Sequence, residues 1–194
     1  THVLGQRTRD ESDFHFVRRH QEGRLRMQES TKPIIAALKG GAIGGGCELA
    51  IAADIRVSDT TLKMALPEIL YGLLPDTGGT QMMTALIGPS RAKYMVMTGR
   101  PIDAGTALEW GAVDFVVAPD ALDSTALEIA RDIAAKPPIN LAMAKEMVNL
   151  MHGPLIRTGT RAELFAQSYL FKTDDYQEAR AAHRAKRAPS YKGK

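Results

Sequence analysis

Five glycines fall within the seven residues from Gly40 to Gly46. They stand between a short apolar run, Pro33 to Leu38, and a helix-like run that begins at Cys47. Glycine at this density costs backbone entropy, so it is expected where the chain turns sharply or passes close to something else. The flanking pattern narrows the options. Pro33–Leu38 is bounded by breakers and predicts a buried strand. Cys47–Ala53 predicts a short helix, apolar except for Glu48. Asp54–Ser58 and Leu62–Ala65 read as strands, and Pro67 and Glu68 follow. Leu74-Pro75-Asp76-Thr77-Gly78-Gly79 then turns into another helix. The stretch from Lys32 to Gln81 is therefore strand, turn, helix, strand, strand, turn. Its three acids, Glu48, Glu68 and Asp76, sit beside glycines or apolar runs, where a bare carboxylate is expensive to hold.

Those residue types suit a particular chemistry. Gly44-Gly45-Gly46 precedes a helix, so unpaired N–H groups and the positive end of the helix dipole converge on one spot. With no Cβ in the way, a ligand carbonyl can approach the backbone there. Two carboxyls near such a donor can serve as base for a water and as acid for a carbon. Glu48 has the alternative of an ion pair with a buried arginine, and Glu68 that of a turn residue after Pro67. Asp76 reads either as a proton carrier or as the N-cap of the helix that follows it.

The rest of the chain alternates helices with a strand and then becomes helical. Residues 1–30 are polar, and from Asp10 onward they predict a helix capped by an Asp or Ser, with a thin apolar stripe of Phe14, Val17 and Leu25. Gly78–Ile87 and Ser90–Met97 read as two helices separated by Gly88-Pro89, with Ser90 as the second N-cap. Asp103 starts a further helix that ends at Gly111. Asp114–Val117 predicts a buried strand and Asp120–Ala135 a helix. Lys136-Pro137-Pro138 is the clearest boundary, because paired prolines stop a helix. It divides residues 1–136, read as the core, from residues 137–194, read as helices over Ile139–Met151, Leu155–Phe171 and Asp175–Arg187. The order indicates an α/β protein.

Composition excludes several classes. At 194 residues with a net charge of +3, the chain suits one domain. The best membrane candidate, Ile34–Val57, is interrupted by Lys39, Glu48, Asp54 and Arg56. No secretory signal is visible at the N-terminus, and Cys47 is the single cysteine, so a reducing, cytoplasmic setting is expected. Cys47 has no basic neighbour in the sequence and reads as buried packing. His15, His20 and His183 lack metal-ligand spacing, so no metal site is expected. Met82, Met83, Met95 and Met97 read as plastic core lining, with an acyl-chain pocket as the other option. Seven Lys or Arg against three acids follow from Phe171 to the end. Without aromatic interleaving this basic tail does not indicate nucleic acid, whereas a phosphate-rich small ligand suits it.

GGGCELAIAADIR together with PEILYGLLPDTGGTQ closely resembles the enoyl-CoA hydratase (crotonase) superfamily. The resemblance continues through MTGRPIDAGTALEWGAVDFVV to FKTDDYQEARAAHRAKRAPSYKG. It implies a ββα spiral core with C-terminal helices that pack in a homotrimer or a hexamer. It implies an acyl-CoA thioester as substrate, with no separate cofactor. Gly45 matches the family's oxyanion donor and lies with Gly44 at the substrate. Glu48 and Glu68 match its catalytic glutamates, and Lys186 matches a contact to the coenzyme A phosphates. Asp76 stands where some isomerases of the family place a catalytic Asp and many hydratases have glycine. On the family pattern, a loop supplying a second oxyanion amide precedes the first helix, with several strands, before the point where this sequence starts. The expected activity is syn hydration of a 2-enoyl-CoA. The alternatives are an enoyl-CoA isomerase using Asp76 or Glu68, and a non-catalytic subunit that binds coenzyme A or forms oligomers.

Overall fold

The computed structural model describes residues 12–193. In chain order the first half comprises α1 (Asp13–Glu29), β1 (Ile35–Leu38), β2 (Gly41–Ile43), α2 (Gly45–Ile51), β3 (Ile55–Asp59), β4 (Lys63–Ala65) and α3 (Gly79–Thr98). The second comprises β5 (Ile102–Asp103), α4 (Ala104–Trp110), β6 (Phe115–Val117), α5 (Leu122–Ala134), α6 (Pro138–Leu150), α7 (Gly153–Leu170) and α8 (Asp174–Arg184). A 3-10 turn at Glu68–Tyr71 links β4 towards α3.

Two small sheets result. In one the order is β1-β3-β6, all parallel, with Ile35 opposite Ile55 and Val57 opposite Phe115. In the other, β2 pairs parallel with β4, and β5 closes the far side antiparallel. Part of the glycine-rich stretch read as a turn is therefore strand β2. Burial also differs from expectation. β3 is the central strand, and Val57 and Ser58 are fully buried. β1 and β6 are the outer strands of their sheet and are only partly covered, which is why neither is the buried strand expected from its apolar run. The main core lies between α2, α3, α4 and the β2-β4-β5 sheet, around Cys47, Leu62, Met64, Met83 and Met95. Met82 joins it, but Met97 is exposed and lines nothing there.

Local stops follow the side-chain chemistry with two corrections. Asp103 caps α4 by accepting from the Thr106 N–H at 2.9 Å, and Gly111 ends it in the left-handed region. In α3 the break lies at Gly88, with φ 79° and ψ 163°. Pro89 then restarts the helix, its fixed φ suiting a first turn, so Ser90 is not the cap. The cap of α1 is Ser12, which accepts from the His15 N–H; Asp10, the other expected cap, lies outside the described residues. The apolar stripe expected for α1 is replaced by a largely polar one. Val17 is buried with His20, Gln21 and Arg24, whereas Phe14 and Leu25 are only half-buried.

The C-terminal helices pack on the same chain to different degrees. α7 lies along α1 and α3 and buries Ile156 and Leu164. Leu155 and Phe165 are exposed, and Phe171 is half-buried. α6 contains no fully buried residue, yet it is fastened by one cation. The Lys145 ammonium donates to the Met27 and Lys32 carbonyls and pairs with Asp54 at 2.7 Å, while Asp54 also accepts from the Ile34 N–H. No helix among the described residues is long and apolar enough to cross a membrane.

Lys145 has 8% of its side chain exposed, so its removal leaves the part-buried Met27 carbonyl without this donor and the Asp54 carboxylate, 24% exposed, without its cation. Lys145→Ala should lower unfolding stability by about 3 kcal/mol. Lys136→Ala, which breaks an exposed pair with Asp132, should change it by less than ~0.5 kcal/mol. Urea midpoints at constant slope measure both, and equal losses would refute the anchoring role of Lys145.

Candidate functional site

The chain turns at Gly44 with φ 56°, a conformation glycine enters without strain. Gly44 donates its N–H to the Ala65 carbonyl, which fixes the end of β2 against β4. Its carbonyl accepts from the Glu48 N–H and so opens α2. Gly45 and Gly46 occupy the first positions of that helix, where amides precede the first intrahelical donor. A Cβ at Gly44 would lie 2.9 Å from Glu68 Oε1, so the missing side chain is what admits that carboxyl.

Glu48 projects from the first turn of α2 and is 2% exposed. Its Oε1 accepts from the Thr77 N–H at 2.9 Å and the Gly79 N–H at 3.0 Å. A Cβ on Gly79 would come within 2.7 Å of the same oxygen, so this glycine too is demanded by a carboxylate. Arg24 reaches over from α1 and donates to the Gly45 carbonyl at 3.1 Å. Burial lowers its pKa, while the charges of Glu48 and Asp76 favour its protonated form. The guanidinium thus lends positive potential to the acids, and Glu48 is held chiefly by backbone amides.

Glu68 opens the 3-10 turn, and its Oε2 is buried without a hydrogen-bond partner among the described residues. Burial pushes its pKa up to about 8, and the nearby charges of Glu48, Asp76 and Glu163 add to the rise. Asp76 is half-buried two residues before Gly78. Burial and the Glu48 charge raise it to about 7, against a hydrogen bond to Gln167 and the pull of Arg24. It does not cap α3. Gly78 holds the cap position with φ 97° and no side-chain cap bond, and the turn's amides are already taken by other acids.

The residue that sequence reasoning missed is Glu163, on α7 and 4% exposed. Its two oxygens accept from the Gly78 N–H at 2.7 Å, and from the Thr80 N–H at 3.1 Å and hydroxyl at 2.5 Å. Burial raises it to about 7, although those donors pull the other way. Gln21 ties the same turn to α7 by donating to the Asp76 and Thr160 carbonyls. A signal existed: Thr160, Glu163, Leu164 and Gln167 share one helical face with helical spacing, and that face is buried although mostly polar.

The structure therefore brings Gly44, Gly45, Glu48, Glu68 and Asp76 into one cluster. Lys186 stands outside it. It is exposed beyond α8 with φ 51°, and it makes no hydrogen bond or ion pair to the acids among the described residues. Cys47 is fully buried, and burial beside Glu48 and Glu68 raises its thiol well above the usual range, which agrees with a packing role. Among the described residues no group of three or more His, Cys, Asp or Glu could hold a metal ion.

A family model described as enoyl-CoA hydratase/isomerase matches residues 3–194. A probable enoyl-CoA hydratase of Rhizobium meliloti is 42% identical over 83% of this chain and 63% of its own length. A short-chain-enoyl-CoA hydratase of Clostridium acetobutylicum is 37% identical over 84% of this chain and 62% of its own. The chain thus spans a little under two thirds of these curated relatives. Among solved structures, an enoyl-CoA hydratase from Bacillus anthracis superposes with TM-score 0.68 at 35% identity, covering 93% of this chain and 70% of that one. One from Mycobacterium avium subsp. paratuberculosis gives TM-score 0.87 at 23% identity, over 93% of this chain and 73% of that one, a likeness of fold. The expected crotonase-type α/β fold is borne out.

The raised carboxyls have a consequence for stability. A carboxyl whose folded pKa exceeds its unfolded value stabilises the fold below the unfolded value and loses that contribution as pH rises through the folded one. For Glu68 the window runs from 4.5 to about 8. Glu68→Gln, uncharged throughout, should flatten the decline in urea midpoint between about pH 5.5 and about pH 8.5. An unaltered slope would contradict the burial of this acid.

Proposed function

The chain belongs to the enoyl-CoA hydratase/isomerase family, and we propose that it performs the acid–base work of an enoyl-CoA hydratase, adding water in the syn sense to a 2-enoyl-CoA thioester. The observation that carries this reading is the placement of Glu48 and Glu68 around the Gly44–Gly45 turn, one held by amides and the other half-buried, its Oε2 without a partner among the described residues. Glu48 takes a proton from water as the water oxygen bonds the β-carbon. The π electrons pass to the thioester oxygen, and the Gly45 N–H stabilises the resulting enolate. A donor of this kind contributes about 3 kcal/mol to the transition state. As the enolate collapses, Glu68 delivers its proton to the α-carbon. Proton exchange with solvent then restores Glu48 and Glu68 to their starting forms. A pKa of about 8 keeps Glu68 protonated at neutral pH, as this step needs.

Gly44 and Gly45 supply the backbone against which the acyl thioester lies, and Lys186 is assigned to the coenzyme A phosphates. Coenzyme A arrives as part of the substrate, so no separate cofactor takes part. The protein is expected to act as a homotrimer or hexamer in the cytoplasm. Support for assembly comes from Ile139, Met143, Val148, Leu155 and Phe165 on α6 and α7, which are large, apolar and exposed.

One observation favours isomerisation as the second reading. Asp76 is not engaged in capping and is raised to about 7, so it could exchange a proton with the far carbon of a 3-enoyl chain.

In the full-length protein, Glu48→Gln and Glu68→Gln should each lower kcat on crotonyl-CoA by at least ~100-fold. The wild-type rate should fall as pH rises through about 8. Wild-type turnover by both variants would overturn the hydratase reading. Asp76→Asn separates the two readings: hydration of a 2-enoyl-CoA should survive, and loss of 3-enoyl-CoA isomerisation from a protein with negligible hydration would establish the isomerase instead. Light scattering at micromolar concentration should give a trimer or a multiple of it, and a monomer would count against the assembly.

A further inference from the structure

Four consecutive amides, those of Thr77, Gly78, Gly79 and Thr80, alternate between two buried carboxylates. Thr77 and Gly79 donate to Glu48, on α2, while Gly78 and Thr80 donate to Glu163, on α7. The turn has freedom of its own, since Gly78 sits at φ 97° and Gly79 follows. Glu163 is what removes that freedom from its far side, by gripping one amide with each oxygen and the Thr80 hydroxyl as well. The Gly79 amide lies between two gripped amides, and its peptide plane shares a Cα with each neighbouring plane, so a displacement of Gly78 or Thr80 perturbs its direction.

We propose that Glu163 is a positioning residue for Glu48: its grip on the Gly78 and Thr80 amides sets where the Thr77 and Gly79 amides point, and those set the orientation of the Glu48 carboxyl. The kinetic consequence rests on the hydratase reading; the geometric one does not. Glu163 touches no reacting atom in this scheme. It acts through the backbone, as a third group behind the acceptor that performs the chemistry.

Glu163→Gln provides the test in the full-length protein. Glutamine keeps the shape but presents one acceptor oxygen and one NH2 where two donors now converge, so one side of the grip turns repulsive. The expected result is a kcat on crotonyl-CoA lowered roughly 10- to 100-fold with KM within about 2-fold, as for a slightly misplaced catalytic group. Because the effect runs through Glu48, the double variant Glu48→Gln/Glu163→Gln should be no slower than Glu48→Gln alone. A folded Glu163→Gln with wild-type kcat, or a double variant slowed by the full product of the single losses, would overturn the proposal. Should Glu163→Gln fail to fold, Thr80→Val removes only the hydroxyl bond and should lower kcat about 3-fold; an unchanged rate would overturn it equally. A crystal structure of the variant gives a readout independent of turnover. Glu48 Oε1 should leave hydrogen-bond distance of at least one of the Thr77 and Gly79 amides, and retention of both would refute the positioning role. A wild-type protein inactive on every enoyl-CoA would refute the hydratase reading, and the crystallographic result would still decide the role of Glu163.

Discussion

The backbone amides of Thr77 to Thr80 are shared between Glu48 and Glu163, and much of the molecule's order is referred to that exchange. A buried carboxylate without donors is among the costliest groups a fold can contain. Here, two carboxylates find their donors in a single turn, and the turn finds acceptors for amides that a helix start would otherwise leave unpaired. The arrangement explains why the turn contains Gly78 and Gly79. A side chain at 79 would collide with Glu48, and a residue at 78 must adopt a left-handed conformation.

The same exchange accounts for the polar faces of α1 and α7. Helices packed against an apolar core normally bury an apolar stripe. These two pack on each other and bury Gln21, Arg24, Thr160, Glu163 and Gln167; Gln21, Glu163 and Gln167 grip residues 74–80, Arg24 grips the Gly45 carbonyl, and the Thr160 carbonyl accepts from Gln21. Their interior is a hydrogen-bonded scaffold for the site, and the conventional apolar core lies on the other side of α3, around Met64, Met83 and Met95. Low dielectric strengthens such a network when its members are paired and makes an unpaired member costly. Glu68, whose Oε2 has no partner among the described residues, is the unpaired carboxyl beside this network, in which Arg24 Nε, Thr77 Oγ1 and Thr160 Oγ1 are also buried without partners.

Several features could be read along the chain alone. The glycine cluster, the acids embedded in apolar runs, the caps at Asp103 and Gly111 and the break at Gly88-Pro89 are local: each follows from one residue's backbone preference or hydrogen-bonding capacity within a few positions of itself. Gly44, Gly45, Glu48, Glu68 and Asp76 lie in one stretch of chain, and the family-like motifs around them are enough to bring the α/β fold into view.

The set of elements and the acids of the central stretch thus follow from local residue preferences. The tertiary structure alone decided how those acids are held. Glu163 lies 85 residues from Gly78, and Gln167 lies 93 from Leu74, so no local periodicity links them to the turn. The tertiary structure also decided which apolar runs are buried. β1 is wholly apolar and β3 carries Arg56, Ser58 and Asp59, yet β3 is central and β1 is an outer strand, because strand order depends on pairing between distant segments. The sequence alone admits Asp76 as either cap or proton carrier for the same reason. Which acceptor a helix's first amides choose depends on every carboxylate that folding brings within reach, and here two from elsewhere in the chain arrive first.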